Sequence, residues 1–174
     1  FDWPRVPHPA DGVAQTIAAL DALLARHGAP DLLGLFVEAI QARTGRTLDA
    51  DAWSALCAWR DRTGVPLVLD ETRSGLFRGA GDRFWWVDGV EGDPDAVLWW
   101  AGGQIGHIFT NDRTYVGKPL TLISTWDGDE LSATRLLRQM NVAHRLDVAG
   151  RIRALDAVLR GAGIEAGGAG LYRV

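Results

Sequence analysis

Three places in the 174-residue chain put polar groups just after apolar runs, where a buried strand would end. Glu38 and Gln41 follow Leu32 to Val37, Asp70 and Glu71 follow Leu67 to Leu69, and Gly102 to Gln104 follow Ala96 to Trp100. In an open parallel sheet ligands bind beyond the carboxyl ends of the strands, so these groups are the candidates for chemistry. A carboxylate there can pair with a cation or move a proton. A single one can equally cap a helix or anchor a loop. Lysine chemistry has one possible source, because the basic residues are 17 Arg and one Lys, Lys118. Lys118 reads as a surface residue. Cys57 is the sole cysteine, which excludes an intrachain disulfide or a cysteine-based metal site; its helical setting reads as a small buried hydrophobe. His8, His27, His107 and His144 are too scattered for a metal set, and His107 reads as a strand or turn residue.

The elements that must position these groups follow from periodicity. Val13, Ile17, Leu20 and Leu24 repeat at helical spacing over 12–26, with Asp11 a possible N-cap. Trp53, Leu56 and Trp59 mark a second helix over Asp49 to Thr63, closed by Gly64. Leu32 to Ile40 is nearly continuous in apolar character and reads as a strand buried on both faces. Pro66 to Leu69 and Ala96 to Trp100 read as two further buried strands. Ile105 to Thr110 reads as a fourth, joined by too short a turn for a crossover, hence antiparallel. Residues 127–144 and 147–160 read as helices, followed by a glycine-rich loop and a strand start at Leu171-Tyr172. Alternating strands and helices predict an α/β fold with an open, mainly parallel sheet of four strands and helices on both faces. A helical segment over 127–174 follows the α/β part at 1–126. The Trp85-Trp86 and Trp99-Trp100 pairs could line a pocket; packing on the two faces of a strand is the reading preferred here.

Composition bounds the rest. The hydrophobic fraction of 47% and charged fraction of 23% are those of a globular domain, and the net charge of −4 argues against a nucleic-acid partner. No apolar stretch approaches the about 20 residues that span a bilayer, and no signal peptide is visible. A reducing, cytoplasmic setting is expected.

The order of the segments adds a resemblance. Val37-Glu38-Ala39-Ile40-Gln41 resembles the VEPIQ segment of class III pyridoxal-phosphate (PLP) aminotransferases, and Leu67 to Gly75 resembles their LIFDEVQTG. Asp93-Pro94-Asp95-Ala96-Val97 resembles the PDIV that opens their cofactor-lysine strand. Ser124-Thr125-Trp126-Asp127-Gly128 resembles the STWGG of the lysine ε-aminotransferase branch, as does the opening Phe1-Asp2-Trp3-Pro4-Arg5. The spacings agree with few or no gaps over nearly the whole chain.

That resemblance implies part of a fold-type I PLP-transferase large domain. It implies that Asp70 corresponds to the carboxylate pairing with the cofactor's pyridine nitrogen. Gln41 belongs to the matching cofactor segment, and Thr125 would reach the cofactor phosphate across a dimer. The departures matter as much. Counting from Pro94, the family's Schiff-base lysine falls on Ala101, with Gly102 and Gly103 beside it. The family's glutamate after EPIQ becomes Arg43, and the glutamine of DEVQTG becomes Arg73. The family's N-terminal half and C-terminal domain have no counterpart here, which leaves both sheet edges without their neighbours. The expectation is a pseudoenzyme: an aminotransferase-like domain, inactive as a transaminase, that works by contact with itself or another protein chain. PLP is then expected to be absent, or bound without a covalent link. Two alternatives stand beside it: a fragment or split subunit of a true transaminase, and a pocket repurposed for other chemistry.

Overall fold

Helix α1 (Val13–His27) and helix α2 (Ala50–Thr63) form where the periodicity places them. This is a computed structural model that describes residues 3–79, 83–100, 106–119, 121, 129–166 and 172–173. Asp49 caps α2, its Oδ1 accepting from Ala52 N at 2.7 Å. Gly64 ends it at φ 76°, a left-handed conformation that costs glycine little, donating N–H to Arg60 O at 2.8 Å.

Four short strands follow the sequence reading: β1 (Leu35–Glu38), β2 (Leu67–Asp70), β3 (Ala96–Trp99) and β4 (His107–Thr110). They lie side by side in the order β1-β2-β3-β4. The first two pairings are parallel, with Glu38 opposite Asp70 and Asp70 opposite Leu98. The third is antiparallel, with Trp99 opposite His107, as the short β3–β4 connection requires.

One face of the sheet carries the core. Val37, Leu67 and Leu69 pack against Leu20 of α1 and Trp53, Leu56 and Trp59 of α2, all buried. Burying a large apolar side chain contributes about 1.5–3 kcal/mol each, so this layer fixes the strand register. The tryptophans of this cluster also satisfy their ring N–H groups: Trp53 donates to Gly92 O and Trp59 to Asp21 Oδ1, both at 2.9 Å. A second cluster seats α3 (Glu130–Arg145) and α4 (Val148–Gly161) on Phe77, Phe84 and Trp99, through Leu136, Met140, Ala143, Ala149 and Ile152.

Several expectations need correction. The run Leu32 to Ile40 is not buried on both faces: Phe36 is 56% exposed, while Val37 is 8% exposed. The opposite sheet face also shows Ile108 at 67% exposure, and among the described residues α1 and α2 both cover the other face. Hydrophobicity marks a surface fit to be covered, without saying which chain covers it. Trp85 and Trp86 lie in an irregular segment rather than on a strand, although Trp86 and Trp99 are buried in packing as expected. In the glycine-rich tail, β5 (Glu165–Ala166) pairs antiparallel with β6 (Tyr172–Arg173), where a loop was expected before the last strand. The division between 1–126 and 127–174 falls outside the described residues.

Candidate functional site

The parallel strands bring Glu38, Asp70 and Trp99 to one end of the sheet. Asp70 is half-buried there. Among the described residues its carboxylate accepts one hydrogen bond, Thr72 N to Oδ1 at 2.8 Å, a turn closure that leaves acceptor capacity on Oδ2. Gln41 lies three residues past Glu38. Its Oε1 accepts from Thr44 Oγ1 at 2.5 Å, and its backbone closes the 41–46 turn through Gly45 N to Gln41 O at 2.8 Å. Asp70 and Gln41 thus share an end of the sheet, but no hydrogen bond joins them among the described residues. Ala101 and Thr125, with Gly102 and Gly103, fall outside the described residues.

Glu71, next to Asp70, does a different job. It is fully buried. Its Oε1 accepts from Val87 N at 2.9 Å, and Ser74 Oγ makes a very short hydrogen bond to Oε2. Burial pushes its carboxyl above the usual range, against the opposing pull of the Ser74 and Val87 bonds. Glu71 therefore ties the end of β2 to a segment 16 residues on and holds the loop between them. That loop is strained: Leu76 and Phe77 have φ of 63° and 66°, conformations that cost a bulky residue about 1–3 kcal/mol each. Arg78 clamps it, donating from Nη2 to Thr72 O at 2.6 Å and from Nε to Gly75 O at 3.0 Å. Burial lowers the Arg78 pKa, and Arg73 lowers it further. Arg73 itself is exposed. Arg73 thus adds a second positive charge, beside that of Arg78, near the carboxyl end of β2.

The amino end of the sheet holds a buried carboxylate that sequence reasoning passed over. Asp95 is 1% exposed. Its Oδ2 accepts from Leu67 N at 2.9 Å and its Oδ1 from Asn111 Nδ2 at 3.2 Å. Arg60 and Arg113 stand 3.7 and 3.4 Å away. Thr114 Oγ1 donates to Asp95 O at 2.7 Å, and Arg113 to Gly64 O. This network locks the starts of β2 and β3 and pins the turn after β4. Its hydrogen-bond partners Asn111 and Leu67 lie 16 and 28 residues from Asp95, so no local spacing announces the network.

These residues make a limited chemical set. Asp70 can pair with a cationic group, such as a protonated ring nitrogen. None of the described strand-end residues is an amine, and no group of three His, Cys, Asp or Glu among the described residues is placed to hold a metal. No described helix is long and apolar enough to cross a membrane.

No family profile matches the sequence, and no curated protein does. Solved structures match the fold. The lysine aminotransferase of M. tuberculosis superposes with a TM-score of 0.68 at 22% identity, over 86% of this chain and 37% of that one. An (S)-enantioselective omega-transaminase from Thermomicrobium roseum gives 0.65 at 19%, over 83% and 38%. The ornithine aminotransferase of Plasmodium yoelii gives 0.61 at 24%, over 75% and 36%. At these identities the likeness is one of fold, and the chain spans little more than a third of the length of the enzymes it matches. The chain therefore has the fold of part of a transaminase: the α/β architecture of a partial PLP-transferase large domain.

Proposed function

We propose that this chain is an aminotransferase-like domain without transaminase activity of its own, acting in the cytoplasm by association with another protein chain, either a second copy or an active aminotransferase subunit. The observation that carries the reading is the position of its one lysine. Counted from Pro94 along the resembled segment, Ala101 falls where that family carries its lysine. Lys118 follows the turn Asn111 to Thr114, which hydrogen bonds to Asp95 at the amino end of β3. Asp70 lies at the other end of the sheet, about 10 Å along β2 from Leu67. Lys118 is exposed and leaves from the end away from Asp70. Without an amine at the strand ends, a transaminase lacks both its covalent anchor and its proton carrier. PLP, if it binds, is held without a covalent link, with Asp70, Gln41 and Thr125 as its contacts.

Association is supported by apolar surface that a lone domain does not need. Phe36 and Ile108 are 56% and 67% exposed on the same sheet face, and among the described residues no further strand pairs with the outer edges of β1 and β4. The second reading, a fragment or split subunit of a true transaminase, is favoured by one observation, the coverage of only 37% of the matched lysine aminotransferase. Absorbance with added PLP separates the two once a complementary chain is supplied. A new band and transaminase turnover favour the split enzyme; association without either favours the inactive domain. Light scattering at micromolar concentration tests association directly, and a strictly monomeric mass with no co-purifying chain would remove it.

A further inference from the structure

Among the described residues no strand pairs with the outer edge of β1, which faces a cleft. In the ladder with β2, Leu35 N donates to Pro66 O at 2.7 Å and Ala39 N to Asp70 O at 3.4 Å. The odd-numbered residues thus turn their backbone groups to β2, and the N–H and C=O of Phe36 and Glu38 point away from the sheet. Glu38 O has already found a donor on that side, His8 Nε2 at 3.2 Å. His8 Nδ1 accepts from Ala10 N at 3.2 Å, which leaves the ring proton on Nε2 and makes it the donor. Beside Phe36 the cleft has a volume of about 900 Å³ and mostly apolar walls. Leu33, Trp3 and Phe36 line it and are 80%, 58% and 56% exposed.

The lead-in residues 3–9 form the far wall and are pinned there by Thr16 Oγ1, which donates to Pro7 O at 2.9 Å. They do not complete the sheet. Pro4, Pro7 and Pro9 have no N–H to give a ladder, and no strand precedes β1 in the sheet order.

We propose that this cleft receives an extended, apolar peptide segment of another chain, which adds to β1 as a further strand. The proposal deepens the association reading and rests on it. A lipid tail or a small apolar molecule would fill the walls but leave the Phe36 N–H and C=O without partners. A peptide backbone meets both at once, and its alternate side chains pack on Leu33, Phe36 and Trp3. His8 sets the end of the available edge at Glu38.

The test uses fluorescence anisotropy on the full chain. The probe is a labelled, capped peptide alternating valine with threonine and lysine, compared with the same peptide N-methylated at alternate amides. Saturable binding of the first, weakened about tenfold or more by methylation, is expected. Phe36→Pro removes an outward donor and no β1–β2 bond, and should weaken binding equally while far-UV circular dichroism is retained. Phe36→Lys keeps the backbone but puts a charge on the edge, and should weaken binding too. Absence of saturable binding, or equal binding of the methylated peptide, overturns the proposal. If peptide binding fails while scattering still shows association, this surface falls and the association reading stands.

Discussion

Removing the Glu71 carboxylate should reveal how tightly the end of β2 is tied to the loop that follows it. Glu71 is fully buried and holds Val87 N and Ser74 Oγ. Glu71→Ala leaves a buried N–H and a hydroxyl without their acceptor, each costing about 1–3 kcal/mol, so a loss of roughly 2–5 kcal/mol is expected. Glu71→Gln keeps one oxygen for Val87 N, and its amide can donate to a rotated Ser74 hydroxyl. It should cost no more than about 1 kcal/mol near neutral pH. The two variants also differ in pH dependence. Burial raises the Glu71 pKa in the folded chain, so the folded state holds the proton more tightly than the unfolded one. Stability from this group is then complete below the ordinary glutamate range and falls as pH rises through the raised value. Glu71→Gln should abolish that fall. Urea unfolding across a pH series, followed by circular dichroism with the m-value monitored, measures both effects. Equal losses for Ala and Gln, or an unchanged pH slope in Glu71→Gln, would refute the account of this carboxylate.

Other substitutions probe the frame around the site. Gly75→Ala would set a Cβ 2.8 Å from Trp99 Nε1 and 3.0 Å from Glu71 O, and overpacking of this kind should cost about 1–3 kcal/mol in the same unfolding assay. Asp95→Ala strips the acceptor from Leu67 N and Asn111 Nδ2 and the counter-charge from Arg60 and Arg113. A loss of about 3–5 kcal/mol is expected, with faster amide exchange in β2 and β3. Asp49→Ala removes the cap bond to Ala52 N and should lower the unfolding free energy by about 1 kcal/mol.

Much of this frame was legible in the residues. The end of α2 follows from the Gly64 stop and its extent from the spacing of Trp53, Leu56 and Trp59, and the antiparallel β4 from a connection too short to cross over. Asp70 could be assigned to a strand end because Pro66 to Leu69 is brief, apolar and followed by charge. What stayed hidden depends on contacts between distant residues. Nothing near Asp95 announces that it will cap β2 as well as β3, since Leu67 lies 28 residues away. The buried role of Glu71 needs Val87, and the exposure of Phe36 depends on α1 and α2 both packing on the opposite face of the sheet. The β5–β6 pair forms in a stretch whose glycines argue for a loop, because backbone pairing there outweighs weak propensity.

If this aminotransferase-like chain works without a covalently bound cofactor, as proposed, chemical trapping with PLP will leave it unlabelled at stoichiometric level. The purified chain is mixed with PLP, reduced with borohydride and mapped by mass spectrometry. No stoichiometric phosphopyridoxyl adduct is expected, because the resemblance assigns the family's lysine position to Ala101 and the chain reaches Lys118 from the end of the sheet away from Asp70. A stoichiometric adduct on Lys118, lost in Lys118→Arg and accompanied by transaminase turnover, would contradict the proposal.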